Sequence, residues 1–542
     1  MNCYFPKTVM KKILFLLLPL LLYSQSVYLP ATHLVYKYLD KMEAKHIVVG
    51  YRDEVKPMTR ETIARFLVQI DTTSLSLTEV EREEQQFYKE EFYQELVNIG
   101  YDNVIEERWH PYQYQSQMGV LNFDLIGGYT YHWRADGKYT TVTSNGAMFY
   151  GYLGKQVGGY FSFHDNRESG SFLDPKRILS PVPAEIPSRS MLPRFFEYSS
   201  IEAQVNADVG FVTLSVEKMP NVWGSGERGN IILSDRAPSY PQIKLRARVG
   251  DNIDFTYLHA WLYSDLIDSL RSYQVPDVPP PTGFRRVNKQ KYLAAQMLEF
   301  SPWDGVDIAV GESEVYGSRD PELIYLIPVM FFKAAEHWMG DLDNSQFFLS
   351  VDLNVIRNIN FYTSVFIDEF STEDFYRADK QRNQLGFTVG TRAYDTFLPN
   401  SKILVEYTRL NPWVYNHKYP DATFQSHSVD MGYWLGQNSD LLFIQTLYQP
   451  KRNLAVGVQF ESWRKGGKDS TYKQYRLPTP TFLYSPRTKS QSFGIVGKYE
   501  VVRDMIIDFS LLRSRYTSEV NAGTADYAKK LDAFIGIRYN IY

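Results

Sequence analysis

From about Met118 to the end of the chain, apolar residues recur at every second position in segment after segment. Leu121, Phe123, Leu125, Tyr129, Tyr131 and Trp133 alternate with small or polar residues, and Asp136-Gly137 follows as a hairpin signal. Ile243, Leu245, Ala247 and Val249 alternate with Gln242, Lys244, Arg246 and Arg248. Phe347, Leu349, Val351, Leu353 and Val355 alternate with Phe348, Ser350, Asp352 and Asn354, and the pattern returns over Leu454–Phe460 and Leu531–Ile541. A period of two sends one set of side chains to each face of a strand. The chain therefore has to build something whose strands carry one apolar and one polar face.

Two architectures meet that demand. A soluble protein of sandwiches or propeller blades calls for domain boundaries or a repeat of about 40–50 residues, and the sequence has neither. A transmembrane β-barrel calls for an apolar outer row, a polar inner row, aromatic girdles, and short turns alternating with long loops. Composition agrees with the barrel: 41 Tyr, 33 Phe and 9 Trp occur in a chain whose mean hydropathy is −0.33. Disordered chains lack such aromatics, and tyrosine suits the boundary between hydrocarbon and headgroups. At about 24 residues per strand and connection, residues 118–542 make about 18 antiparallel strands, within a range of 16–18. The fold class expected is an all-β transmembrane barrel.

The N-terminus reads as an address. Lys11 and Lys12 precede the apolar stretch Ile13–Leu22, with Ser24 and Ser26 behind it, which is the pattern of a signal peptide over residues 1–26. Its removal would take away Cys3, the single cysteine, so neither disulfides nor cysteine–zinc sites are expected. The balance of 58 Lys+Arg against 62 Asp+Glu gives no basic footprint for a nucleic-acid partner.

Residues 27–117 are expected to form a small, water-exposed helical domain on the periplasmic side, docking on, plugging or covering one end of the barrel. Leu34, Tyr38, Leu39 and Met42, then Ile63, Phe66, Leu67 and Ile70, recur at helical spacing. Thr78 with Glu81 is a capping-box signature, and Gly100 can end the helix that follows.

Candidate binding residues fall outside the plain strands. Trp223-Gly-Ser-Gly-Glu-Arg-Gly-Asn230 and Ser234-Asp-Arg-Ala-Pro238 form the densest polar turn-like segment. Trp223 could stack on a sugar, while Glu227, Arg228, Asn230, Asp235 and Arg236 offer directional hydrogen bonds; alternatively the segment is an inward-folded loop locked by its own ion pairs. Its glycines permit positive φ or close backbone approach. Lys244, Arg246 and Arg248 project the same way from one strand, either attracting an acidic polymer or neutralising carboxylates on neighbouring strands. The stretch from Gly311 to Asn344, with Glu312, Arg319 and Trp338, has an apolar patch between two charged ones and is expected to fold into the lumen. Glu336-His337 is not a chelating pair, since adjacent residues diverge on a helix and on a strand alike. No catalytic residue, metal site or cofactor is assigned, and paired carboxylates for glycoside hydrolysis need a fixed separation that no sequence shows.

Several of these pieces, in order, resemble the capsule-assembly Wzi-like family of outer-membrane proteins. They are Pro57-Met-Thr-Arg60-Glu61-Thr-Ile63-Ala64, the Trp223–Asn230 and Leu233–Pro238 segments, Lys291-Tyr292-Leu-Ala-Ala-Gln296, Gly311-Glu-Ser with Tyr316-Gly317, and Ala335-Glu336-His337 with Asp343-Asn344. Tyr407-Thr-Arg409 and Gly436-Gln-Asn438-Ser-Asp440 are similar to its later motifs. The resemblance runs from about residue 30 to the end. It implies a barrel of about 18 strands in the outer membrane of a Gram-negative cell, with a small periplasmic helical bundle. It also implies lectin-like, non-enzymatic binding and retention of capsular or exopolysaccharide at the cell surface, assisting its assembly. The partners implied are that polysaccharide, outer-membrane lipid and periplasmic assembly proteins. The alternatives are a passive or substrate-selective pore, and a structural barrel that docks a periplasmic partner.

Overall fold

The structure, a computed structural model, describes residues 27–103, 106–154, 156–171, 173, 195–279, 282–371, 383–468, 473–474, 479–519 and 526–541. The signal peptide expected over residues 1–26 lies outside the described residues. Eighteen antiparallel strands close into one barrel. They are β1 (Gly119–Arg134), β2 (Tyr139–Leu153), β3 (Val157–Gly170), β4 (Phe195–Val209), β5 (Val212–Met219), β6 (Tyr240–Val249), β7 (Ile253–Leu262), β8 (Lys291–Trp303) and β9 (Val306–Gly317). The circuit continues through β10 (Asn344–Ile356), β11 (Ile359–Glu369), β12 (Gln384–Tyr394), β13 (Ser401–Leu410), β14 (Ser439–Lys451), β15 (Leu454–Lys465), β16 (Thr488–Val502), β17 (Met505–Ser518) and β18 (Asp526–Tyr539). It is completed where Ile537 of β18 lies opposite Tyr129 of β1.

One end, the turn end, is joined by tight turns such as 210–211, 304–305 and 503–504. The other, the loop end, carries segments such as 220–239, 263–290, 318–343 and 411–438. The alternation expected from sequence is realised. Leu121, Leu125, Tyr129, Ile243, Val249, Leu349, Val355, Ile535 and Ile537 are exposed on the outer wall, whereas Asn122, Asp124, Gln242, Lys244, Ser350, Asp352 and Asn354 are buried inside. An exposed apolar exterior around a polar interior is the inverse of a soluble core and fits a hydrocarbon surround.

Among the described residues four helices precede the barrel: α1 (Val35–Ala44), α2 (Arg60–Thr72), α3 (Glu79–Glu91) and α4 (Tyr93–Asn98). Thr59 caps α2 by accepting from the Thr62 amide, and Thr78 with Glu81 forms the expected capping box on α3. Leu39, Met42, Ile63, Phe66, Leu67, Ile70, Tyr88, Phe92 and Leu96 close into one core, each large side chain contributing about 1.5–3 kcal/mol. The bundle sits in the turn-end mouth. The Lys45 ammonium bridges Glu81 at 2.6 Å and Asp395, in the β12–β13 turn, at 2.8 Å; the Asn358 amide, between β10 and β11, donates to the Ala44 carbonyl at 2.6 Å. Arg108 reaches Glu91 at 2.7 Å and Asp124 of β1 at 3.0 Å. The chain then forms a short strand, Tyr112–Ser116, that pairs with the turn-end half of β1, Tyr112 opposite Phe123. The other half of β1 pairs with β18.

Candidate functional site

Between α1 and α2 the chain leaves the bundle and runs up into the lumen. Arg52, buried, donates to Asp254 of β7 at 2.8 Å and to the Asp251 carbonyl at 3.0 Å. Further in, Val55–Lys56 forms a two-stranded antiparallel sheet with Val222–Trp223, which descends from the loop end, and Val55 lies opposite Trp223. Positive φ at Gly224 (107°) and Gly229 (142°) lets the descending segment turn back, and a Cβ at Gly226 would lie 2.3 Å from the Gly229 carbonyl oxygen. These are the backbone roles the glycine pattern anticipated.

Around this junction the barrel interior is apolar. Trp223, Ile231, Ile232 and Leu233 pack against inward-facing Leu258, Leu293, Met297, Phe348, Phe366 and Leu404, with Tyr415, Phe424, Met431 and Tyr433 added by segment 411–438. Trp223 is 0% exposed, so it offers no face to a sugar; the stacking role expected for it is corrected to that of a core residue.

The polar tip of the segment is locked by ion pairs, the second of the two arrangements its sequence allowed. Glu227 accepts from Arg392 of β12 at 3.0 Å and also binds Lys402 of β13. Burial alone would raise the Glu227 carboxyl, but Lys402 and Arg392 overcome it and hold the group below the usual carboxylate range. The Glu227 and Arg228 amides donate to Glu406 at 2.6 and 3.1 Å. Asn230 accepts from the Gly226 amide at 2.8 Å. Asp235 lines a cavity of about 180 Å³ shared with Tyr28, His33, Arg60 and Tyr150, and burial raises its carboxyl. The Arg236 amide donates to Ser234, and burial lowers its guanidinium.

The basic ladder of β6 does point inward, and each cation is matched. Lys244 meets Glu217 at 2.5 Å; Arg246 meets Glu299 at 3.6 Å and donates to the Val55 carbonyl at 3.4 Å; Arg248 meets Asp254 at 3.1 Å. It neutralises neighbouring carboxylates and pins the ascending N-terminal segment.

Segment 318–343 departs from expectation altogether. Instead of entering the lumen, it folds over the outer wall of β7–β10, carrying helix α5 (Phe332–Met339). Tyr257, Tyr292, Ala294 and Tyr316, all on outward positions, pack against Tyr325, Phe332 and Ala335 of this lobe. Glu312 faces outward with Val310; its carboxylate accepts from the Phe332 amide at 2.9 Å and from Gln296 at 2.6 Å. Arg319 binds Asp343 at 2.6 Å and Glu322 at 2.8 Å. Trp338 is 77% exposed on the lobe's outer side, as are Val329 and Phe331. The lumen roles expected for Glu312, Arg319 and Trp338 are therefore corrected: strand parity turns Glu312 to the outer wall, and the apolar patch between the charges closes over it there. Glu336 is buried against Ser345 and Lys333, and His337 next to it is exposed.

What stays accessible inside is the loop-end half of β15–β18 and β1, which the sequence did not single out. Trp463 and Tyr516 meet edge-to-face with ring centroids 6.2 Å apart, and the Lys530 ammonium lies 5.3 Å over the Tyr516 ring. Ser490 separates the two aromatics in register. From the plug tip Arg228, its side chain 41% exposed, reaches Glu461 at 2.5 Å and stacks over Trp434 at 5.3 Å. Together these supply flat apolar faces flanked by hydroxyl, cationic and anionic groups.

A closed barrel with an apolar exterior, entered from both ends by chain segments that meet inside it, defines an outer-membrane β-barrel protein. Its structure is similar to that of Wzi, described as an outer membrane protein involved in group 1 capsule assembly in Escherichia coli and a carbohydrate-binding β-barrel. The two match with a TM-score of 0.56 at 11% identity, over 96% of this chain and 100% of that one. OprD from Pseudomonas aeruginosa matches with a TM-score of 0.42 at 11% identity, over 77% and 93% of the chains. OccAB4 from Acinetobacter baumannii matches with 0.42 at 8% identity, over 78% and 98%. At such identities the likeness is one of fold. No protein-family model matches the sequence, and no curated protein does.

Proposed function

We propose that the protein binds a capsular or exopolysaccharide non-covalently and retains it at the cell surface, assisting its assembly without catalysing a reaction. In barrels of this kind short turns face the periplasm and long loops the exterior, which assigns the helical bundle to the periplasm. The observation that carries the reading is the junction of Val55–Lys56 with Val222–Trp223, wrapped in an apolar core. A lumen filled at that level favours a surface anchor over a conduit. The half-buried rings of Trp463 and Tyr516, with Lys530 and Arg228 beside them, supply stacking surface and hydrogen-bonding groups for an acidic glycan. Weak contacts repeated along one polymer sum through avidity. The carbohydrate binding described for Wzi, with the same fold, adds support.

Deleting the gene tests it. Polysaccharide should appear in the medium with total synthesis unchanged, and the purified protein should bind polymer while passing no steady current across a planar bilayer. Unchanged retention, or steady conductance without binding, would replace the anchor with a pore. Loss of retention on removing residues 27–100, with polymer binding by the barrel intact, would move the function to a periplasmic partner of the helices.

A further inference from the structure

The outer wall of β13–β18 ends, toward the loops, in a belt of cations. Antiparallel register sets them in rows. Arg409 lies level with Asp440, Arg464 and Lys489; Arg515 lies level with Lys529; and Arg513 lies level with Phe493 and Leu531. All six basic residues occupy outward positions, because they share parity with exposed Val405, Phe493, Ile495, Leu511, Leu531 and Ile535. Asp440 lies on this face and binds Arg464. Lys489, Arg513 and Lys529 are exposed and carry no carboxylate partner among the described residues.

The height of the belt is fixed by the wall beneath it. On β16 the outward row runs from Phe493 to Val501, and on β18 from Leu531 to Tyr539. At about 3.3 Å per residue and a tilt near 40°, each row stands roughly 20 Å tall, close to the apolar band of about 25 Å in such barrels. Arg513 stands level with the top members of these rows, Phe493 and Leu531, and Arg515, Lys529 and Lys489 follow above, at the depth where headgroup phosphates begin. Three strands beyond the belt the wall is balanced at its loop end, where Arg167 of β3 lies opposite Glu197 of β4.

We propose that this belt is a lateral binding site for phosphorylated lipid headgroups of the outer leaflet, with Lys489, Arg513 and Lys529 as the free cations and Arg464, Arg515 and Arg409 beside them. Guanidinium groups pair bidentately with phosphate, and an ammonium adds a point charge. Nothing in this assignment depends on the polysaccharide reading, since it concerns the outer face of strands whose inner face carries Trp463 and Tyr516.

The test uses the full chain reconstituted in phosphatidylethanolamine vesicles, with the thermal unfolding midpoint as readout. Adding diphosphorylated lipid A should raise the midpoint of the wild type. The combined variant Lys489→Gln, Arg513→Gln, Lys529→Gln should fold, as judged by heat-modifiable mobility, and lose most of that rise. Arg167→Gln, three strands beyond the belt, should keep it. Dephosphorylated lipid A should give little rise, and inorganic phosphate none. Equal rises for wild type and triple variant would overturn the site. So would a full rise with the dephosphorylated lipid, and a rise with inorganic phosphate alone would mean an ion site and not a headgroup site.

Discussion

Val55 and Trp223 face each other across a two-stranded sheet in the middle of the barrel, one reaching it from the turn end and the other from the loop end. Their pairing joins two plugs into one. The strands around it supply inward Leu, Met and Phe side chains where other strands supply Asn, Asp and Ser.

Truncating this contact should therefore do two things. Trp223→Ala removes a fully buried indole and should cost about 3–5 kcal/mol of stability, read as a lowered urea midpoint in detergent. The same variant should show intermittent current in planar bilayers, and the wild type none. A stable and silent variant would place the seal elsewhere.

The Arg392–Glu227 pair offers a cleaner energetic test. Arg392→Met leaves Glu227 with Lys402 alone in a buried setting, and breaking such a pair from one side costs about 3–5 kcal/mol. Adding Glu227→Gln should recover part of the loss, because the stranded charge is gone. Additive effects in the double-mutant cycle would mean that the two groups do not interact.

A pH dependence follows from Glu54. Its carboxyl is fully buried, neither oxygen accepts a hydrogen bond, and burial, reinforced by Asp53 and Asp307, raises it well above the ordinary value of 4.5. Glu43 is shifted the same way, again by burial first. Across that window the unfolded chain binds fewer protons than the folded one. Their contribution is thus complete below about pH 4.5 and is lost as pH rises toward the folded values. Glu91 works in reverse: Arg108 and Arg60 outweigh burial and depress it, so its contribution is lost as pH falls. Glu54→Gln should flatten the decline in unfolding midpoint between pH 5 and pH 8; an unchanged slope would show that Glu54 is not its source.

The lobe over β7–β10 should lie in lipid. Below it the bare outward row of β9 runs only from Val306 to Val310, roughly 10 Å of height, about half of what β16 provides. With Cys3→Ser as background, nitroxides at Val329→Cys and Trp338→Cys should be reached by oxygen and shielded from a water-soluble nickel relaxant, as at Phe361→Cys on the bare wall. Asp277→Cys, at the tip of an exposed loop, should show the opposite. Nickel access at Trp338→Cys matching that at Asp277→Cys would put the lobe in water.

Polymer binding should depend on the inner wall. Trp463→Ala and Tyr516→Ala should each weaken polysaccharide binding by up to about tenfold, equivalent to about 1.4 kcal/mol, with the barrel's heat-modifiable mobility unchanged. Binding at wild-type strength in the double variant would shift the site to the loops.

Barrel closure, strand number and the facing of most side chains were legible because alternation is a local property. The capping box at Thr78 and Glu81 was legible for the same reason. Trp223 was misjudged because an exposed indole and a buried one look alike in sequence; its cover, Val55, is far away along the chain. The lumenal expectation for Glu312 rests on an apolar patch between two charged ones, a pattern that fits a lobe on the outer wall equally well; the amide of Phe332 in that lobe makes an outward carboxylate tolerable. Trp463 and Tyr516 lie in rows patterned like any other inner row. Their accessibility depends on which rows the plug leaves uncovered, and no periodicity encodes that.

The short strand Tyr112–Ser116 and the final strand β18 share one edge of β1. The helical bundle is tied to that edge through Arg108, which touches Glu91 on one side and Asp124 and Asp504 on the other. The last seam of the cylinder therefore zips up beside the stalk that carries its own stopper. Pulling the bundle out of the mouth breaks contacts that end on β1 and on the turn between β16 and β17, at the seam itself.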